Sequence, residues 1–565
     1  AGTYKPGSVR PAAFLLPPGV AVYGGFAGSE SERSQRSPSA NQTILSGDLG
    51  TTGAASDNAF HVVVPGHGST LDGFTIRDGN ASENYTDDRG AGGGLWAEKV
   101  AFIVSNCAFA SNHARQSGGA VRLQEANATF TSCSFTSNTT GSTGSGGAID
   151  ANASRLTLAS CSFTSNVSQH SGGAVNSLNS TLSFTDSNFT SNQNASANGG
   201  GALNVSGGSL ADANGTYSSN SCATASGGGA IQWAGADANF TGSTFKSNQT
   251  PSYRGGAVYA TSGALRFSQC LFSGNTAGSR GGALRGENVT LSFTDSNFTS
   301  NVSALNGGAL STEDSNVTTT RCAFTSNQSN GNGGGACHAN KGSWTDGNST
   351  YASNKATHDG GAFLWVESNG TIADSNFTSN ENTTSNGGGA LSIEKASPTI
   401  ARCRFTSNET KAVNSGGAIK LDNASPAITH CVFTSNVAST NNGGALGMNS
   451  TSSPTLSHNE FHNNSAASYG GALYIDGGSN LTVSNSLFLG NHAKSGGAVS
   501  SWTSSGLTFS NCRFLGNEAN ATSDSTANGG VILLASNADN TTFVNCVFSG
   551  NKANNYSGVL KGEGS

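Results

Sequence analysis

A chain of 565 residues exceeds what one compact core supports, so it is either several domains or one elongated repetitive architecture. Only 11% of its residues are charged, 27 basic against 33 acidic, which excludes the basic profile of a nucleic-acid binder. No stretch reaches the ~20 apolar residues that span a bilayer, whereas Ser, Thr, Asn and Gln make up roughly 37% of the chain.

In chain order, the start at Ala1 lacks a charged segment followed by an apolar one, so any targeting signal is expected outside these residues. Gly66-His67-Gly68 is similar to a polygalacturonase fragment but lacks the acidic motifs expected before it. Asp87-Asp88-Arg89 reads as a solvated turn. Gly90 to Gly94 reads as the first Gly-rich turn of a repeat, since neither Lys-Ser/Thr nor a helical pattern follows, as a phosphate loop requires.

From residue 107 one unit recurs: a small residue, any residue, an aromatic, two small polar residues, Asn, a spacer, then Gly-Gly-Ala and an aliphatic. The aromatic runs from Phe109, Phe135 and Phe163 through Tyr217 and Tyr351 to Phe548, giving 17 copies with nearly all intervals between 26 and 28. After Gly-Gly-Ala the apolar residues alternate, as in Ala418-Ile419-Lys420-Leu421, the period of a strand. The spacing predicts an all-β, right-handed parallel β-helix of about 17 coils plus N-terminal coils, a rod of roughly 80 Å at ~4.8 Å per rung. Residues 1–71 are expected as N-terminal coils or a cap, and 72–565 as the repetitive solenoid. Phe should stack on Phe inside, Gly-Gly should turn where no side chain fits, and the Asn three after each aromatic should form an amide ladder.

Phe-x-x-Asn alternating with Gly-Gly-Ala-(Ile/Leu/Val) over about residues 72–560 resembles the polymorphic outer-membrane protein repeat of chlamydial adhesins and related pectin-lyase-like β-helix surface proteins. Tyr23-Gly-Gly-Phe and Ile44-Leu-Ser-Gly-Asp48 look like first coils of that class. The resemblance implies a secreted, surface-exposed, non-enzymatic protein without a cofactor.

The chain holds 31 Asn-x-Ser/Thr sequons among 61 Asn, about twice the chance number, which implies N-glycosylation and a eukaryotic secretory route. Six of them, Asn138, Asn166, Asn248, Asn301, Asn327 and Asn408, are also ladder positions and are expected to be buried. The glycan candidates are Asn41, Asn84, Asn127, Asn152, Asn188, Asn204, Asn297, Asn369, Asn376, Asn423, Asn480, Asn520 and Asn540. Asn188, Asn297 and Asn376 each precede an inward Phe and should face solvent, and Asn204 should also point outward. Nine of the 11 Cys stand two before an aromatic, as small buried hydrophobes; Cys107 with Cys133, and Cys403 with Cys431, are within possible disulfide reach on adjacent rungs. No CxxC supports a zinc site.

Polysaccharide lyases and hydrolases need acids clustered on neighbouring coils. The position two after the repeat Ala, read as outward, has one acid, Asp150, among Arg122, Asn176, Asn204, Gln232, Tyr259, Arg285, Ser311, His338, Leu364, Ser392, Lys420, Gly447, Tyr474 and Ser500. Asp186, Asp295 and Asp374 lie three or four coils apart, and the latter two face Arg321 and Arg402 as surface ion pairs. Trp96, Trp344, Trp502 and His338 could line a sugar-binding face; Trp233 and Trp365 read as core. The expected function is a non-enzymatic extracellular structural glycoprotein, partnered with itself head to tail or laterally, or with other surface glycoproteins. The alternatives are a surface adhesin that binds glycans and, third, a polysaccharide-active enzyme.

Overall fold

The computed structural model describes residues 1–83, 88–195, 199–223, 227–413, 415–520, 530–535, 540–554 and 559–562. Chain contacts divide it into two units, 1–278 with 283–285, and 279–282 with 286–565. Each unit is a parallel β-solenoid, and among the described residues the only helical pieces are three single 3₁₀ turns.

In the first unit a typical coil holds four strands, Ile149–Asn152, Arg155–Ala159, Ser162–Thr164 and Val167–Ser168. Each pairs in parallel with its counterpart on the coils before and after, so that Phe135, Phe163 and Phe189 are register partners. Further along, the first two strands fuse into Val175–Thr185 and Leu203–Ala213. Residues 1–71 form coils of the same solenoid: Gly2–Tyr4 pairs with Thr43–Ser46, which pairs with Phe74–Arg77. The expected boundary at 71/72 falls inside Ser69–Asp72, a strand paired with Ala21–Tyr23 and with Ala101–Ser105.

The repeat residues explain the coil. Phe109, Phe135, Phe163, Phe189, Tyr217, Phe245 and Phe272 stack with centroids 4.5–5.0 Å apart and planes within 8°. All seven are fully buried, each contributing about 1.5–3 kcal/mol of transfer free energy. The residue two after the aromatic turns the chain in a left-handed conformation, with φ of 53–55° at Ser111, Ser137, Ser165, Ser191, Ser219 and Ser247. A second such corner stands three before the aromatic, at Ser132, Ser160, Asp186 and Asn214. Short polar side chains tolerate this region best, which accounts for much of the Ser and Asn. The second Gly of each pair is required by stacking: a Cβ on Gly147 or Gly173 would overlap the carbonyl of Gly173 or Gly201 on the next rung.

The second unit repeats these devices. Its rings run from Phe298 to Phe548 with centroids 4.6–4.9 Å apart. Its Asn ladder is continuous from Asn327 to Asn551, each Nδ2 donating to the next Oδ1 at 2.9–3.0 Å.

Two coils depart from the apolar interior. Where the stacked ring is Tyr217 or Tyr351, the inward position five residues earlier, otherwise mostly Phe, Leu or Ile, is Asp212 or Asp346. Asp212 accepts Ser243 Oγ at 2.6 Å, and Asp346 accepts Thr319 Oγ1 at 2.5 Å and Ser375 Oγ at 2.7 Å. Each carboxyl is also in electrostatic reach of its coil's phenol. Burial pushes Asp212 up to about 6.

Candidate functional site

The row two after each repeat Ala is not open surface. Asp150, Tyr259 and Arg285 in the first unit, and Ser311, His338, Leu364, Ser392, Lys420, Tyr474 and Ser500 in the second, are all 9% exposed or less. Strand alternation does turn these side chains away from the Phe stack. The chain then bends back at Gly-Gly, so the turn before it overhangs them: Lys420 donates to the Asn386 carbonyl at 3.4 Å, and Ser392 Oγ accepts the Gly388 N–H at 3.1 Å. The row is therefore the floor of a groove.

In the first unit this floor is a directed polar row. Arg122 pairs with Asp150, Asn176 Nδ2 donates to Asp150 Oδ1 at 2.6 Å, and Asn204 Nδ2 donates to Asn176 Oδ1 at 2.8 Å. Asn204 thus faces the groove, half-buried, with its amide committed to Asn176. Asn152 is likewise committed, to Gln124 Oε1 at 2.9 Å. Burial holds the Arg122 guanidinium below its ordinary value.

In the second unit the groove holds the acids that reading one row missed. Lys420 Nζ lies 3.7 Å from Asp422 Oδ2 and 3.9 Å from Asp359 Oδ1, with its side chain 6% exposed. Glu394 and Asp422 are register partners two residues further along their strands, and Asp359 comes from the overhanging turn. Burial, then the Glu394 carboxylate, push Asp359 up to about 7 against the pull of Lys420. A spacer acid and a row four after the repeat Ala were the signals available in the sequence. The carboxylates supply the countercharge that a buried ammonium requires. Among the described residues no group of three or more His, Cys, Asp or Glu is arranged to hold a metal ion.

The remaining predicted positions sort by burial. Trp233 and Trp365 are core, as read; Trp344 is also core, edge-on to Phe363 at 4.7 Å, and His338 is 6% exposed, so neither joins an open sugar face. Trp96 is half-buried in the groove and Trp502 is exposed. Asn127, Asn188, Asn297, Asn369, Asn376, Asn423, Asn480, Asn520 and Asn540 are exposed and Asn41 is half-buried, while Asn84 lies outside the described residues. All six ladder sequons have zero exposure. Asp295 and Asp374 take bidentate pairs from Arg321 and Arg402 at 2.7–2.8 Å.

Cys107, Cys133, Cys403 and Cys431 are free thiols, not the two disulfides weighed above. In-register parallel strands point successive Cβ atoms the same way, whereas a disulfide needs them to converge to about 3.8 Å. The thiols instead donate to carbonyls, Cys133 to Thr131 at 3.4 Å and Cys403 to Ala401 at 3.3 Å. Burial pushes Cys107 up to about 12.

Comparison with known families agrees with this architecture. Residues 389–564 match a right-handed β-helix region, and residues 269–287 match the Chlamydia polymorphic membrane protein repeat. No curated protein and no solved structure matches the chain. The resemblance carried by Phe-x-x-Asn and Gly-Gly-Ala is thus found independently: the chain is a β-solenoid with a repeat of the chlamydial surface-protein type. No helix among the described residues is long and apolar enough to cross a membrane.

Proposed function

We propose that the chain is a non-enzymatic, extracellular surface glycoprotein whose solenoid is a scaffold for display and assembly. The observation that carries this reading is the division of its asparagines. The ladder Asn are sealed inside with their amides committed, whereas Asn188, Asn297 and Asn376, one before the stacked ring in three separate copies of the same motif, are exposed. Sugars on those rows would coat the outside without touching a rung. The groove acids support the non-enzymatic part, because Asp359 and Asp422 are held by Lys420. Electron microscopy of material from its natural source, before and after removal of N-glycans, tests the assembly: ordered polymers support it, and dispersed single molecules contradict it.

A second reading, an adhesin that binds glycans, is favoured by the first unit's groove, where half-buried Trp96 adjoins the row Arg122, Asp150, Asn176 and Asn204.

A further inference from the structure

Trp96 occupies a position that its neighbours along the groove do not repeat. Its strand places it directly beside Arg122, and Glu98 directly beside Gln124. Together with Gln116 and Ser117 from the overhanging turn, these residues line a depression of about 460 Å³. Behind the indole lies His61, 8% exposed, with ring centroids 6.0 Å apart and planes 29° from parallel. The His61 Nδ1 faces the Gly92 carbonyl at 3.0 Å, so the ring that backs Trp96 is itself held. The result is an aromatic platform fixed before any ligand arrives.

The formal charges around this platform are already matched. Arg122 pairs with Asp150 and donates from Nη2 to Gln124 Oε1 at 2.8 Å, and Glu98 lies 3.3 Å from Lys99 Nζ. A phosphate or carboxylate ligand would have to displace one of those partners. The polar capacity left over is neutral: the Gln116 Nε2 is shielded from solvent and has no hydrogen-bond partner within the protein. Along the same floor a second depression, about 430 Å³, is lined by Asn176, Asn204 and Gln232 among others, so planar amides continue in line with the platform.

An apolar ring face, planar amides spaced one rung apart and no free charge are complementary to a chain of sugar rings, which offers C–H faces and neutral hydroxyls. We propose that this groove binds an extended, uncharged polysaccharide strand, with one sugar ring stacked on Trp96 and its hydroxyls bonded by the Gln124 Nε2 and, once its side chain turns outward, by the Gln116 amide. This deepens the adhesin reading and rests on it.

The test uses the full chain with cellohexaose, xylohexaose and mannohexaose as neutral probes and hexagalacturonate as the acidic one. Trp233, Trp344 and Trp365 are buried, so a fluorescence change on binding reports Trp96 or Trp502. The expected result is saturable binding of at least one neutral hexamer, weakened at least tenfold in Trp96→Ala, at least threefold in Gln116→Ala and unchanged in Trp502→Ala. Gln116→Ala, at the rim, decides the matter if Trp96→Ala fails to fold. Three outcomes overturn the proposal: no neutral probe binds, the Trp96 and Gln116 variants bind as the parent does, or hexagalacturonate binds best. Each leaves the scaffold reading intact, which fails instead if native material carries no N-glycans.

Discussion

Asn138 and Asn166 are joined twice: Oδ1 of Asn166 accepts both the backbone N–H and the side-chain Nδ2 of Asn138, each at 3.0 Å. The second Nδ2 hydrogen of Asn138 goes to the Phe109 carbonyl at 2.9 Å, and Asn166 repeats the pattern toward Asn192 and Phe135. Every amide hydrogen is used and neither residue is exposed.

Replacing Asn166 by Asp removes two donors and turns a carboxylate toward the Phe135 carbonyl and Asn192 Oδ1. Two lost buried hydrogen bonds, each replaced by a carboxylate oxygen facing an acceptor, cost about 1–3 kcal/mol each, so the variant should lose about 2–6 kcal/mol, read as a lower urea midpoint. An unchanged midpoint would show that the ladder does not hold the coil together.

Two glycines of the first unit should answer Ala substitution differently. Gly173→Ala drives a Cβ into the Gly201 carbonyl and should cost more than about 3 kcal/mol. Gly274 has φ +62° and only a Ser247 Oγ contact at 3.7 Å, so Gly274→Ala should cost about 1 kcal/mol, the left-handed penalty alone. Denaturant unfolding of both variants checks the ratio.

The Asp212 carboxyl gives the fold a pH dependence of defined sign. Its folded value is about 6. An unfolded Asp titrates near 3.9. Below about pH 4 it is neutral in both states; as pH rises toward 6 only the unfolded chain gains by ionising, so this contribution to stability falls and levels off above about 6. Asp212→Asn should flatten that slope and be more stable than the parent at pH 7 by about 1–2 kcal/mol, measured by urea unfolding at pH 4 and pH 7.

Thiol chemistry should follow burial. Ten of the 11 Cys are buried and Cys546 is partly exposed, so native protein should react at Cys546 first with a disulfide reagent, and unfolded protein at all 11. An intact mass below the all-thiol value would instead reveal disulfides.

The stacked residues were legible in the sequence because a parallel solenoid imposes the same environment on every rung. The Phe, the ladder Asn and the second Gly therefore recur at one spacing. The groove was not legible, because strand alternation separates in from out but carries no record of what overhangs the outward face. Lys420 looked solvated for that reason, and its partner Asp359 lies in a spacer without repeat phase. The link of Asp212 to Tyr217 and of Asp346 to Tyr351 was present as a shared offset of five residues. It is masked because the apolar residues at that inward position vary freely from coil to coil.

The account stands most directly on where sugars sit. Mass measurement of native material before and after enzymatic N-glycan removal, with glycopeptide mapping, should show a large mass loss and glycans on exposed Asn188, Asn297 and Asn376. Asn138, Asn166, Asn248, Asn301, Asn327 and Asn408 should be bare, since a glycan on any of them excludes its rung from the ladder. No mass change would contradict the surface-glycoprotein reading, and a glycan on a ladder asparagine in folded protein would contradict the amide ladder itself.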